Sequence, residues 1–130
     1  SHAVRSGMTV LVAEDEPLLR ELLERYLGLV GYTVLSAVDG ADALRVAGGH
    51  AGVIDVLLTD MVMPAMGGAE LALRLRMSRP LARVVVMSGH GDELVGPEAR
   101  GPGRMLAKPF RLESLLQAVA EAAADAVPGA

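Results

Sequence analysis

Four apolar runs in this chain each stop on a charged or hydroxyl side chain, and that pattern restricts the fold more than any other feature. The run Thr9-Val10-Leu11-Val12-Ala13 ends on Glu14-Asp15-Glu16. Val53 to Leu58, broken only by Asp55, is followed by Thr59 and Asp60. Val84-Val85-Val86-Met87 ends on Ser88-Gly89, and Arg104-Met105-Leu106-Ala107 ends on Lys108-Pro109, with Lys108 the only lysine in the sequence. Short continuous apolar runs suit strands buried on both faces of a parallel sheet. In such sheets ligands bind outside the carboxyl ends of the strands. Groups that end four different strands can therefore meet at one edge. An acid cluster, a hydroxyl and an ammonium gathered there suit a divalent cation and a phosphoryl group.

Helical patterns separate the runs. Strand one covers about Met8 to Ala13. Pro17 then occupies a first-turn position ahead of Leu18, Leu19, Leu22, Leu23, Tyr26 and Leu27, which fall at helical spacing. Gly28 and Gly31 bracket the end of that helix. Strand two is Tyr32 to Ser36, extendable through Ala37 and Val38. Asp39-Gly40 turns into a short helix, Ala41 to Ala47, which Gly48-Gly49 ends. Strand three is expected over Val53 to Thr59, helix three over Gly68 to Met77, strand four over Arg83 to Met87 and strand five over Arg104 to Ala107. Leu112, Leu115, Leu116, Val119, Ala120 and Ala123 give an amphipathic final helix. Gly91 to Gly103 holds four glycines and two prolines ahead of the last of them, so a fourth helix there is short, about Asp92 to Val95. Five strands alternating with helices predict a doubly wound α/β sheet in a single domain.

The bulk properties exclude several classes. A chain of 130 residues with 52% apolar content can bury a real core. The net charge of −4 disfavours nucleic acid as a direct partner. The densest basic group, Arg74, Arg76, Arg79 and Arg83, has no interleaved aromatics for base stacking and reads as a solvated helix end. Without cysteine there is no disulfide framework, and a reducing cytoplasm is compatible. No apolar stretch reaches the roughly 20 residues that span a bilayer, and no signal peptide is recognisable. Residues 1–7 are expected to be a tag scar or loose N-terminus, 8–123 the domain, and 124–130 an alanine-rich tail.

Adjacent carboxylates at Glu14 and Asp15 suit Mg2+, a hard cation that takes oxygen ligands. Asp60, on a neighbouring strand, would complete the cluster. At about 5 Å and an effective dielectric near 20, each like-charge pair repels by about 3 kcal/mol, which a cation or the Lys108 ammonium would relieve. Pro64, Gly67 and Gly68 shape a tight loop after Asp60. A carboxylate in such a place can act as a nucleophile toward phosphorus. Ser88 offers a hydroxyl, Gly89 an unhindered N–H, and Lys108 a compact point charge that a cis bond to Pro109 would aim. His90, two residues after Ser88, and His50 read as loop and surface histidines.

Taken together, Glu14-Asp15, Asp60 with its following Met-Pro and Gly, Ser88-Gly89 and Lys108-Pro109-Phe110 resemble the receiver domain of bacterial two-component response regulators. The resemblance runs from about Met8 to Ala123. It implies a flavodoxin-like (βα)5 fold and transfer of a phosphoryl group from a histidine kinase or phosphotransfer protein. By the same resemblance Asp60 is the phospho-acceptor. Mg2+ is held by Glu14, Asp15, Asp60 and the backbone carbonyl of Val62, Ser88 is the switch hydroxyl, and Lys108 neutralises the phosphoryl charge. A docking surface beside helix one is implied too, as are self-phosphorylation and autodephosphorylation in place of conventional turnover.

The sequence departs from that pattern in three places. Glu14 replaces the more usual aspartate. Met105 stands three residues before Lys108, where many receivers carry an aromatic. The glycine- and proline-rich Gly91 to Gly103 segment alters the usual output face. A relay or phosphate sink, or a receiver module of a hybrid histidine kinase, is consistent with these departures, and a homodimer is left open. Three other readings compete. One is a pseudo-receiver used only for protein interaction. Another is a small Mg2+-dependent phosphatase, which lacks its Asp-x-Asp signature here. The third is a flavin-binding flavodoxin, which would need a Ser/Thr/Gly-rich phosphate loop after strand one where this chain has three carboxylates. Two Tyr and one Phe also leave little to sandwich a flavin.

Overall fold

The computed structural model describes residues 7–89 and 103–125. In chain order the elements are β1 (Thr9–Ala13), α1 (Pro17–Leu29), β2 (Thr33–Ala37), α2 (Gly40–Gly49), β3 (Val56–Asp60), α3 (Gly68–Ser78), β4 (Arg83–Ser88), β5 (Arg104–Ala107) and α4 (Leu112–Ala124). The strands pair in parallel in the order β2-β1-β3-β4-β5. The expected doubly wound sheet is therefore present. The short helix expected over Asp92 to Val95, and His90, fall outside the described residues.

Successive strand residues point to opposite faces, and both faces are filled. Leu11, Leu57, Val84 and Val86 pack with Ala43 and Ala47 of α2 and Leu71, Ala72 and Leu75 of α3. Val10, Val12, Leu58, Val85 and Met87 pack on the other face with Leu23 and Leu27 of α1 and Leu115 and Val119 of α4. This burial explains why the strands read as unbroken apolar runs. It also leaves charged residues only at strand ends, Asp60 in β3, Arg83 in β4 and Arg104 in β5.

Local chemistry sets the helix boundaries. Glu16 caps α1 by accepting the N–H groups of Leu18 at 3.3 Å and Leu19 at 2.8 Å, with Pro17 at the first position. Asp39 caps α2 by accepting Asp42 N–H at 2.8 Å, and Asp42 returns a carboxylate to Val38 N–H at 3.0 Å. After α1 the chain reverses at Gly31, whose φ of 111° suits glycine.

Three expectations are corrected. β3 begins at Val56, not Val53. Asp55 turns its carboxylate onto Thr9 N–H at 2.8 Å and so ties the start of β1, while Val53 is 67% exposed. The alanine-rich end is helical through Ala124, because Ala122 is buried against the sheet. His50 is half-buried, with its Nε2 enclosed and without a hydrogen-bond partner.

The arginine group serves the fold, as a solvated helix end would. Arg79 donates to the carbonyls of Ala47, His50 and Gly52 at 2.7–3.0 Å and closes the end of α2. Arg74 pairs with Glu70 at 2.8 Å. No helix among the described residues is long and apolar enough to cross a membrane.

Candidate functional site

In this strand order the chain runs from β1 outward to β2, then returns past β1 to β3. The crevice outside the carboxyl ends of β1 and β3 is the switch point at which such sheets bind ligands. Asp60 is the last residue of β3 and Glu14 the first after β1. They are 5% and 0% exposed. Asp15, next along, is exposed. Carboxylate oxygens of Glu14, Asp15 and Asp60 all lie within 4.8 Å of one another. Three hard oxygen donors at that spacing fit Mg2+.

Lys108 follows β5 and reaches across β4 to this group. Its Nζ lies 2.5 Å from Asp60 Oδ1 and 3.1 Å from Glu14 Oε1. Its backbone is anchored as well, since Lys108 N–H donates to Ser88 O at 2.7 Å. The Lys108–Pro109 bond is cis. Ser88, at the end of β4, stands one residue beyond Met87, the register partner of Asp60. Of the residues singled out from the sequence, Glu14, Asp60 and Lys108 touch and Asp15 adjoins them. Ser88 meets the group through its backbone carbonyl, and Val62 lies two residues past Asp60 in the loop, its side chain exposed.

In sequence Glu16 is the third carboxylate of the acid run, but its side chain caps α1. Its N–H instead donates to Glu14 Oε2 at 2.9 Å. Nothing in the sequence pattern marks Arg20. Its Nη1 donates to Glu14 O at 2.8 Å. The signal for Glu16 was the Pro17 that follows it, since an acceptor immediately before a first-turn proline is a helix-cap signature.

The loop after Asp60 is shaped by close backbone approach. Met61 N–H donates to Met87 O at 2.8 Å and Gly68 N–H donates to Met61 O at 2.9 Å. A Cβ on Gly68 would stand 2.3 Å from the Asp60 carbonyl oxygen, so only glycine fits there. Asp60 is thereby held between the end of its strand and the start of α3.

Burial, reinforced by the hydrogen bond with Glu14, pushes the Asp60 carboxyl up to about 8 against the pull of Lys108. Burial also acts to raise Glu14, but its bonds with Asp60, the Glu16 N–H and Lys108 outweigh that and hold it below the usual carboxylate range. Two buried carboxyls this close favour sharing one proton. On Lys108, burial works against the charge, and the two carboxylates more than offset it. Beside the site a groove of about 440 Å³ is lined by Leu19, Gly89, Lys108, Pro109 and Phe110.

The family model described as the response regulator receiver domain matches residues 10–120. The chain belongs to that family and is a receiver domain of two-component signalling. It is 35% identical over 113 residues to the transcriptional regulatory protein TcrA of Mycobacterium tuberculosis, spanning 85% of this chain and 44% of that protein. It is 34% identical over 115 residues to the sensor kinase CckA of Brucella abortus, spanning 87% of this chain and 12% of that one. The chain thus spans less than half the length of either relative. Among solved structures, a receiver domain protein of Clostridium thermocellum aligns with a TM-score of 0.80 at 29% identity, covering 89% of this chain and 94% of that chain.

Proposed function

We propose that Asp60 accepts a phosphoryl group from a phosphohistidine of a histidine kinase or phosphotransfer protein. The observation that carries this reading is the Lys108 ammonium placed 2.5 Å from Asp60 Oδ1 at the joint carboxyl ends of β3 and β5. An Asp60 carboxylate oxygen attacks phosphorus, an O–P bond forms, the P–N bond to the donor imidazole breaks, and its electron pair stays on the ring nitrogen, which takes a proton from solvent to leave as neutral imidazole. Such transfers ask the protein for placement and charge stabilisation more than for covalent chemistry.

Lys108 supplies charge from one side, and it stays anchored because its backbone is bonded to Ser88. The Glu14, Asp15 and Asp60 carboxylates with the Val62 carbonyl would hold Mg2+, which supplies further positive charge to the transferring oxygens. The Ser88 hydroxyl, at the end of the adjacent strand, is the group that would donate to the phosphoryl oxygens once Asp60 is modified. Water attack on the acyl phosphate then returns the carboxylate and inorganic phosphate.

The donor must bring an imidazole to this edge. The groove between Leu19 and Phe110 opens beside it. On α1, Leu18 and Leu22 are exposed beside Glu21 and Glu24, a surface suited to a partner helix with apolar and basic side chains. Incubation with a phosphohistidine donor, borohydride reduction of the product and peptide mapping tests the assignment. Conversion of residue 60 to homoserine supports it, and conversion at another acid, or at none, refutes it.

A further inference from the structure

The turn that carries Glu14 and Asp15 is tied at several points. Glu14 N–H donates to Ala37 O at 3.2 Å and Glu14 Oε2 accepts from Glu16 N–H at 2.9 Å. The Glu14 carbonyl oxygen accepts from Arg20 Nη1 at 2.8 Å. Arg20 is half-buried on α1, and its own N–H closes the first helical turn by donating to Glu16 O at 3.0 Å. Asp42 of α2 carries a charge that Arg20 also influences. It is held below the usual carboxylate range by Val38 N–H and Arg45 first, and after them by the charge of Arg20. Arg20 thus ties α1 to the backbone of the acid turn.

We propose that Arg20 is a positioning residue for the cation pocket: its guanidinium fixes the Glu14 carbonyl, and with it the turn that presents the Glu14 and Asp15 carboxylates. This inference rests on the reading that the pocket takes Mg2+. Asp15 gives it content. Its side chain is exposed, so the backbone of the turn decides whether that side chain starts within reach of Glu14 and Asp60. A planar guanidinium is suited to hold a carbonyl at fixed orientation, and it remains charged at every working pH.

Charge and position pull in opposite directions here, which makes the sign of the effect decisive. A cation close to the pocket repels Mg2+, so removal of Arg20 by electrostatics alone would tighten Mg2+ binding. Removal of a group that orients ligands loosens it, typically by about 10–100-fold.

The test is calorimetric titration of the intact chain with MgCl2, comparing wild type, Arg20→Gln and Arg45→Gln, alongside melting curves in EDTA. Arg45 serves as the control because it pairs with Asp42 at the surface and does not touch the acid turn. The expected result is a Kd at least about tenfold weaker for Arg20→Gln, an unchanged Kd for Arg45→Gln, and a cooperative cation-free melt for both. A Kd for Arg20→Gln equal to or tighter than wild type would overturn the positioning role while leaving the Mg2+ reading intact. No Mg2+ binding by wild type would overturn both. Loss of the cooperative melt in Arg20→Gln would assign Arg20 to the fold and overturn the inference as well.

Discussion

The Lys108 ammonium bridges Asp60 Oδ1 at 2.5 Å and Glu14 Oε1 at 3.1 Å, joining the ends of β5, β3 and β1 through one side chain. Asp60 and Glu14 are buried, so the Lys108 ammonium takes the place of much of their hydration. The bridge therefore fixes one Asp60 oxygen and neutralises charge that the fold has taken out of solvent.

Lys108→Gln keeps length and polarity but removes the charge. Its rate of acyl phosphate formation is expected to fall about 100-fold or more, the range seen when a positioned electrostatic donor is lost. Folding is expected to persist, because Asp60 can take up a proton in place of its lost partner. Phosphorylation time courses beside urea unfolding at pH 7 check both parts.

Stability should depend on pH through Asp60. Its folded pKa, about 8, lies above the ordinary 3.8, so between these values the folded state holds more protons than the unfolded one. That contribution is fully present below about pH 4 and is lost as pH rises through 8. Glu14 is lowered and acts oppositely, contributing above its ordinary 4.5 and losing that contribution as pH falls below it. In EDTA the wild-type melting temperature is expected to fall from pH 6 to pH 9, and Asp60→Asn to flatten that fall. Scanning calorimetry measures it. Equal slopes in the two proteins would contradict the account of Asp60.

Two glycines should respond in opposite ways. Gly68→Ala places a Cβ against the Asp60 carbonyl and is expected to destabilise by about 1–3 kcal/mol, as overpacking does. Gly48→Ala, in α2 with open space around it, is expected to stabilise by about 0.5–1 kcal/mol through helix propensity. Denaturant titrations of the two variants separate a backbone contact from an exposed helix position.

Much of the architecture was legible in the sequence because its strands are buried on both faces, which makes them short continuous apolar runs. Glu14, Asp15, Asp60 and Lys108 stood out because each follows such a run. The start of β3 was not legible. Val53 and Ile54 extend the apolar run, and only the distant Thr9 N–H shows why Asp55 ends it. Nor does sequence separate two adjacent acids, of which Glu14 is buried and Asp15 exposed. That difference, like the bond from Arg20 to the Glu14 carbonyl, depends on where α1 sits against the sheet.

Leu18 and Leu22 are 70% and 45% exposed on α1. Replacing both with alanine removes apolar surface that the fold does not use, so stability should change little. Transfer from a phosphohistidine donor protein is expected to slow at least about tenfold, the effect of losing contacts worth about 1.4 kcal/mol. Phosphorylation by acetyl phosphate should be unchanged. Equal slowing with both donors would place the defect in the pocket and not in docking.

The central claim is that Asp60 is the phosphoryl acceptor. Intact-mass spectrometry after incubation with acetyl phosphate and MgCl2, beside Asp60→Asn and an EDTA control, tests it most directly. The account predicts one added phosphoryl group on the wild type, lost in the variant and in EDTA. An adduct of equal yield on Asp60→Asn, or no adduct on the wild type with either acetyl phosphate or a phosphohistidine donor, would contradict it.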